Sequence, residues 1–207
     1  MIKLYKKRNR FYKCADYSYS YYKSFGINNI IVTSGALNHI WNQWNSFWRS
    51  YFMIYAIGGY DCHNTKISGF YNTLRQNQVA CFYRQIKAKQ RYTYGNDIPY
   101  YRELTWGDPD VIVDLLSSNS VTIPNSSYVI GLISMYKNEI SDFQKIRNSF
   151  VHMNNMILND LKRVVLPRYR LNRNQKVIEI LCATSLNTGG ECFRTLVDSL
   201  KSCLSYV

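Results

Sequence analysis

The sequence predicts an all-α fold, and three observations carry that prediction. Apolar residues recur at steps of three and four over several long stretches, which is helical spacing, and no stretch alternates convincingly. Hydrophobic residues make up 46% of the chain, enough for a core. The 10 glycines and 4 prolines among 207 residues are too few for a loop-dominated protein. This length suits one sizeable domain, so the expected organisation is an aromatic and basic arm over residues 1–25, followed by a single helical domain over residues 26–207. No internal repeat is visible.

The arm interleaves Lys6, Lys7, Arg8, Lys13 and Lys23 with Phe11, Tyr12, Tyr17, Tyr19, Tyr21 and Tyr22, and shows no sustained helical period. Aromatics beside cations stack on unpaired bases, or equally pack an arm onto its own domain, and packing is the commoner role. From Thr33-Ser34, as N-cap residues, a helix is expected through Leu37, Ile40, Trp41, Trp44, Phe47, Trp48, Tyr51, Phe52 and Tyr55. It should stop at Gly58-Gly59. A weaker amphipathic pattern follows through Ile67, Phe70, Tyr71, Leu74, Phe82 and Ile86.

Residues 91–106 mix turn formers with aromatics and read as a loop insertion. Asp108-Pro109 then has the form of an N-cap with proline at the first helical position, opening a short helix through Leu115. After a loop at 117–127, one or two helices are expected from Val129 to Pro167. A further helix through Val177, Ile178 and Leu181 should end near Gly189-Gly190, and Phe193 to Leu204 supply the last.

Lys and Arg total 26 against 13 acidic residues, a formal charge of +13. This favours a polyanionic partner, nucleic acid first, through phosphate neutralisation; a basic surface that serves only solubility is the plainer reading. The six cysteines contain no C-x-x-C pair, and no apolar leader is evident, so reduced thiols in the cytoplasm are expected. Cys62 and His63 have no second ligand pair at zinc-site spacing, so no metal and no other cofactor is expected. The longest strongly apolar run, Tyr51 to Ile57, is far short of the roughly 20 residues that cross a bilayer, so no membrane is expected as a partner.

Candidate chemistry concentrates in Arg147-Asn148-Ser149-Phe150-Val151-His152. An imidazole moves protons near neutral pH, and a guanidinium presents a permanent forked cation to phosphate. The apolar steps Tyr136, Ile140 and Phe143 reach Arg147 next, so arginine takes an apolar slot and should need a buried anion or a partner surface. Asn148 lies four residues before His152 and shares its helical face, where an amide can orient the imidazole. Arg147 is about 140° around the helix from His152, so a common substrate requires extension, local unwinding or a two-fold pairing of helices. The plainer reading is a satisfied helix histidine beside an interface ion-pair arginine.

Arg147-Asn148 with His152 resembles the R-x4-6-H motif of HEPN domains, in which a polar residue commonly follows the arginine. The resemblance implies a small helical bundle that homodimerises through this motif and acts as a metal-independent endoribonuclease on RNA. It also implies a toxin or antiviral defence setting, with an antitoxin or defence-system protein as candidate partner. By resemblance, His152 serves in acid–base chemistry at the ribose 2′-OH or the leaving group, Arg147 stabilises charge developing on phosphorus, and Asn148 positions the site. Cleavage would leave a 2′,3′-cyclic phosphate, and DNA would resist.

The likeness covers about six motif residues and their helical surroundings. HEPN toxins paired with nucleotidyltransferases carry a tyrosine two residues after the histidine; Asn154 stands there in this chain, so control through that tyrosine is not implied. Arg168, Arg170 and Arg173 either line an RNA path or form a solvated basic turn. Two further function classes fit the same sequence: a non-catalytic basic module that binds RNA or DNA, and a helical scaffold for another protein.

Overall fold

The computed structural model describes residues 1–26, 29–91, 96–118, 121–152, 154–169, 177–184 and 189–207. Within them the chain is mainly helical, with nine α-helices and three strands of two residues each. The all-α expectation holds, and strands this short cannot register as alternation. The chain groups into two compact units, each built from separated segments. The first comprises Met1–Phe11, Gln43–Met135 and Val207, and the second Tyr12–Asn42 and Tyr136–Tyr206.

Residues 1–25 are not a non-helical arm: from Leu4 they form α1 (Leu4–Phe25). Its buried face is Leu4, Phe11, Cys14, Ala15, Ser18 and Tyr22. Half of those side chains are small or polar, while other tyrosines lie outside the face, so hydropathy conceals a period that the backbone obeys. α2 (Ile30–Ile57) begins earlier than the expected Thr33-Ser34 cap. Asn29 is the cap, its Oδ1 accepting from the backbone N–H of Ile31 (3.1 Å) and Val32 (3.2 Å). Thr33 instead donates its hydroxyl to the Gly26 carbonyl at 2.8 Å.

In the first unit, Gly58 ends α2 at φ 87° as expected. β1 (Ile2–Lys3) runs parallel to β2 (Gly59–Tyr60), which pairs antiparallel with β3 (Lys66–Ile67); Ile2 and Ile67 both face Gly59. Asp61 shapes the hairpin turn, its Oδ1 accepting from the N–H groups of His63 and Thr65, each at 2.8 Å. Ile67 therefore belongs to a strand, and the expected amphipathic helix is confined to α3 (Gln76–Lys87). Trp44, Phe47, Trp48, Tyr51 and Phe52 of α2 are each at most 3% exposed and dominate this core. Each contributes roughly 1.5–3 kcal/mol by burial.

Trp44 Nε1 donates to the Gly107 carbonyl at 2.8 Å, and a Cβ at Gly107 would collide with the Trp44 ring, so only glycine fits there. The 91–106 segment is irregular where described, apart from a 3-10 turn at Tyr100–Arg102. It is anchored through Glu103, whose two oxygens accept from Arg49 Nε (2.7 Å) and Nη2 (2.8 Å). α4 (Pro109–Ser117) starts as its sequence predicts, with Asp108 accepting from Asp110 and Val111 N–H. α5 (Ser126–Met135) completes the unit.

The second unit adds α6 (Lys137–Val151), α7 (Asn155–Asp160), a π turn (Leu161–Val165), a 3-10 turn (Leu166–Tyr169), α8 (Val177–Cys182) and α9 (Cys192–Ser205). α9 packs on α6 and α8. The Trp41 ring stacks on Phe143 at 6.1 Å, and Tyr22 meets Phe193 edge-on at 4.8 Å. α8 ends at Cys182 rather than near Gly189, because Cys192 N–H returns to the Ala183 carbonyl at 2.7 Å beside a Thr184–Glu191 bridge. No helix among the described residues is long and apolar enough to cross a membrane.

Candidate functional site

α6 positions the motif, and its register differs from the expected one by one residue. Ile140, Phe143, Ile146 and Phe150 form the buried stripe, none more than 6% exposed. Ile146 takes the step assigned to Arg147 from the sequence, because a helical stripe advances by three as readily as by four. Arg147 is half-buried at the edge of that stripe and does not interrupt it.

The guanidinium is nevertheless held firmly. Its Nε donates to Asn38 Oδ1 of α2 at 2.6 Å, and its Nη1 donates to Asn148 Oδ1 at 2.9 Å. Both acceptors are neutral amides, and no carboxylate among the described residues pairs with Arg147. Burial pushes the guanidinium pKa down from its ordinary value, yet that value is so high that the group stays a cation. A fixed and uncompensated positive charge results. Two amides orient the fork while its remaining N–H groups stay available to an anion.

His152 is the residue at which α6 stops, at φ −126° and ψ 65°, with its backbone N–H bonded to the Asn148 carbonyl at 2.8 Å. The side chain is exposed. Asn148 does not orient the imidazole by the expected shared helical face, because the helix ends there and the amide oxygen is already engaged by Arg147. Asn154, at the position two beyond the histidine, caps α7 by accepting from Ile157 N–H at 2.9 Å.

Arg168 is tied to the core by an ion pair. Its Nη1 donates to Asp142 Oδ1 at 2.8 Å, and Asp142 is 2% exposed. Burial pushes the Asp142 carboxyl pKa up, with Arg168 and Lys145 opposing the rise, so the ion pair is what makes an ionised aspartate tolerable in this core. Arg170 and Arg173 lie outside the described residues.

Sequence reasoning misses two features. Asn38 gives no signal of its partner, since the contact joins residues 109 positions apart. The second is a cleft of about 550 Å³ bordered by Lys145, Asn148, Met156, Ile157, Asp160 and Arg163. Only the three-residue step from Lys145 to Asn148 hints at it in the sequence. Among the described residues, no group of three or more His, Cys, Asp or Glu side chains is placed to hold a metal ion. No family model, curated protein or solved structure matches the chain.

Proposed function

We propose that this chain is a metal-independent endoribonuclease of the HEPN type, acting on RNA as a cytoplasmic homodimer in a toxin or defence setting. The observation that carries the reading is the half-buried Arg147 cation, fixed by two neutral amides and paired with no carboxylate among the described residues. Such a group suits charge that develops on phosphorus, because it needs no reorganisation when the charge appears. His152 supports the reading by exposing its imidazole at the end of the same helix.

In the proposed reaction the ribose 2′-oxygen bonds to the adjacent phosphorus and the bond from phosphorus to the 5′-oxygen breaks. One proton leaves the 2′-OH and one reaches the 5′-oxygen, with His152 serving one of these transfers. Arg147 stabilises the phosphorane-like charge, and Asn148 keeps Arg147 aimed. Two-fold pairing about the α6 terminus brings two Arg147 and two His152 side chains together; Val151, 36% exposed beside the motif, supplies apolar surface for it.

The test is to incubate the purified chain with RNA in EDTA. Cleavage that survives chelation, yields a 2′,3′-cyclic phosphate, spares DNA and disappears in both Arg147→Ala and His152→Ala supports the enzyme. Cleavage unchanged in both variants removes this site. Salt-sensitive RNA binding without cleavage by the wild type favours the non-catalytic module.

A further inference from the structure

We propose that the cleft beside Asn148 is a nucleotide subsite, taking one nucleotide of an RNA chain next to the bond that is cut. This rests on the RNA-cleaving reading of Arg147 and His152. At about 550 Å³ the cleft has the volume of an ordinary small-molecule site. Its chemistry divides as a nucleotide's does. Lys145 and Arg163 supply cations, while Met156 and Ile157 supply an apolar face, and Met156 is 78% exposed beside those charges. A polarisable thioether facing solvent in a cleft is a suitable platform for a base.

The two cations share one carboxylate. Asp160 lies 3.1 Å from Lys145 and 3.5 Å from Arg163, which leaves one positive charge in excess. A phosphate entering the cleft completes that balance, and Asp160 competes with it for both cations. The link to the motif is a single side chain: Asn148 borders the cleft and gives its oxygen to Arg147. Its amide N–H groups can therefore serve a base or ribose oxygen while the same residue fixes the guanidinium. A nucleotide held there lies beside the phosphate that Arg147 would engage.

The experiment uses the full chain carrying His152→Ala, so that binding is read apart from cleavage. The Met156 methyl signal is followed by NMR during titration with 5′-UMP, 5′-AMP and inorganic phosphate. A 2′-O-methyl RNA oligonucleotide is titrated in parallel. The expected result is a Met156 shift with either mononucleotide, tighter binding of both than of inorganic phosphate, and at least tenfold weaker binding in Lys145→Ala/Arg163→Ala. Asp160→Asn should bind mononucleotide about threefold more tightly, because a competing anion is gone; a merely structural Asp160 would show lower stability and no such gain.

Unaltered affinity in the double variant, or inorganic phosphate binding as tightly as the mononucleotides, overturns the subsite. The two readings fail differently. Nucleotide binding that follows these variants while the wild type never cleaves RNA removes the nuclease and leaves the cleft as a nucleotide site. Cleavage by the wild type with a Met156 signal blind to mononucleotides removes only the subsite.

Discussion

Arg147 Nε donates to Asn38 Oδ1 at 2.6 Å, so the guanidinium at the end of α6 is aimed by a neutral amide on α2. Neutrality is what matters. Replacing that amide by a carboxylate keeps the geometry and cancels the charge. Asn38→Asp should leave stability unchanged or raise it by about 1 kcal/mol. RNA cleavage should fall at least tenfold. Asn38→Ala should cost about 1 kcal/mol and reduce cleavage less than Asn38→Asp. If Asn38→Asp cleaves like wild type, the uncompensated charge is not what the site uses.

His152 separates activity from stability. Its imidazole is exposed and its hydrogen bonds among the described residues are backbone ones, so His152→Ala should shift unfolding free energy by no more than about 0.5 kcal/mol. Loss of cleavage should nonetheless be complete within assay range. Thermal unfolding alongside an RNA cleavage assay decides this; a large stability loss would mean that the residue is structural.

The Asp142–Arg168 pair predicts a pH-dependent defect. Arg168→Ala strands a carboxylate that is 2% exposed. The cost should be about 2 kcal/mol at neutral pH, below the ~3–5 kcal/mol of a fully buried pair because the Arg168 side chain is 39% exposed. Asp142 has a folded pKa above its unfolded value, so the folded state holds its proton more tightly. That contribution to stability is present below the unfolded pKa and is lost as pH rises through the folded one. Removing Arg168 raises the folded value further, so the defect should shrink as the solution is acidified toward pH 5. Adding Asp142→Asn should restore much of the loss. A defect equally large at both pH values would contradict this account.

Thiol chemistry should single out one cysteine. Cys182 is exposed, and the other five are buried. Burial pushes the Cys62 thiol pKa up to about 11 and that of Cys203 up to about 12, so both remain protonated and unreactive at pH 8. A disulfide reagent should titrate one thiol rapidly in the native protein and six after denaturation. Cys182→Ser should abolish the fast phase; its persistence would point to another accessible thiol.

Dimerisation through the α6 terminus can be tested at Val151. Val151→Glu places a charge on the apolar surface beside His152, and should convert a dimer to monomer in sedimentation and lower cleavage with it. A monomeric wild type that still cleaves RNA would dispense with the composite site.

Much of the fold is legible where apolar side chains are large and caps are standard, as in the aromatic run of α2 or the Asp108-Pro109 start of α4. It fails in α1 because Cys14, Ala15 and Ser18, which are small or polar, hold core positions and give only a weak periodic signal. Two-residue strands are invisible for want of length. At the candidate site, the residue types of the motif stand out in the sequence, but phase does not: Phe143 to Ile146 is a step of three, so Arg147 lies beside the stripe. Its partner Asn38 depends on tertiary packing alone, which no local pattern encodes.

The interleaving of the two units has a consequence for synthesis on the ribosome. Residues 12–42 emerge early, yet the other segment of their unit begins only at Tyr136. At about 5–20 residues per second, the Leu37, Ile40 and Trp41 stripe waits roughly 5–20 s for Phe143, and longer for α9. During that interval Asn38 has no Arg147 to hold. The Arg147–Asn38 contact therefore cannot form until α6 has been made, and termination before Tyr136 would release an apolar surface suited to chaperones or proteases.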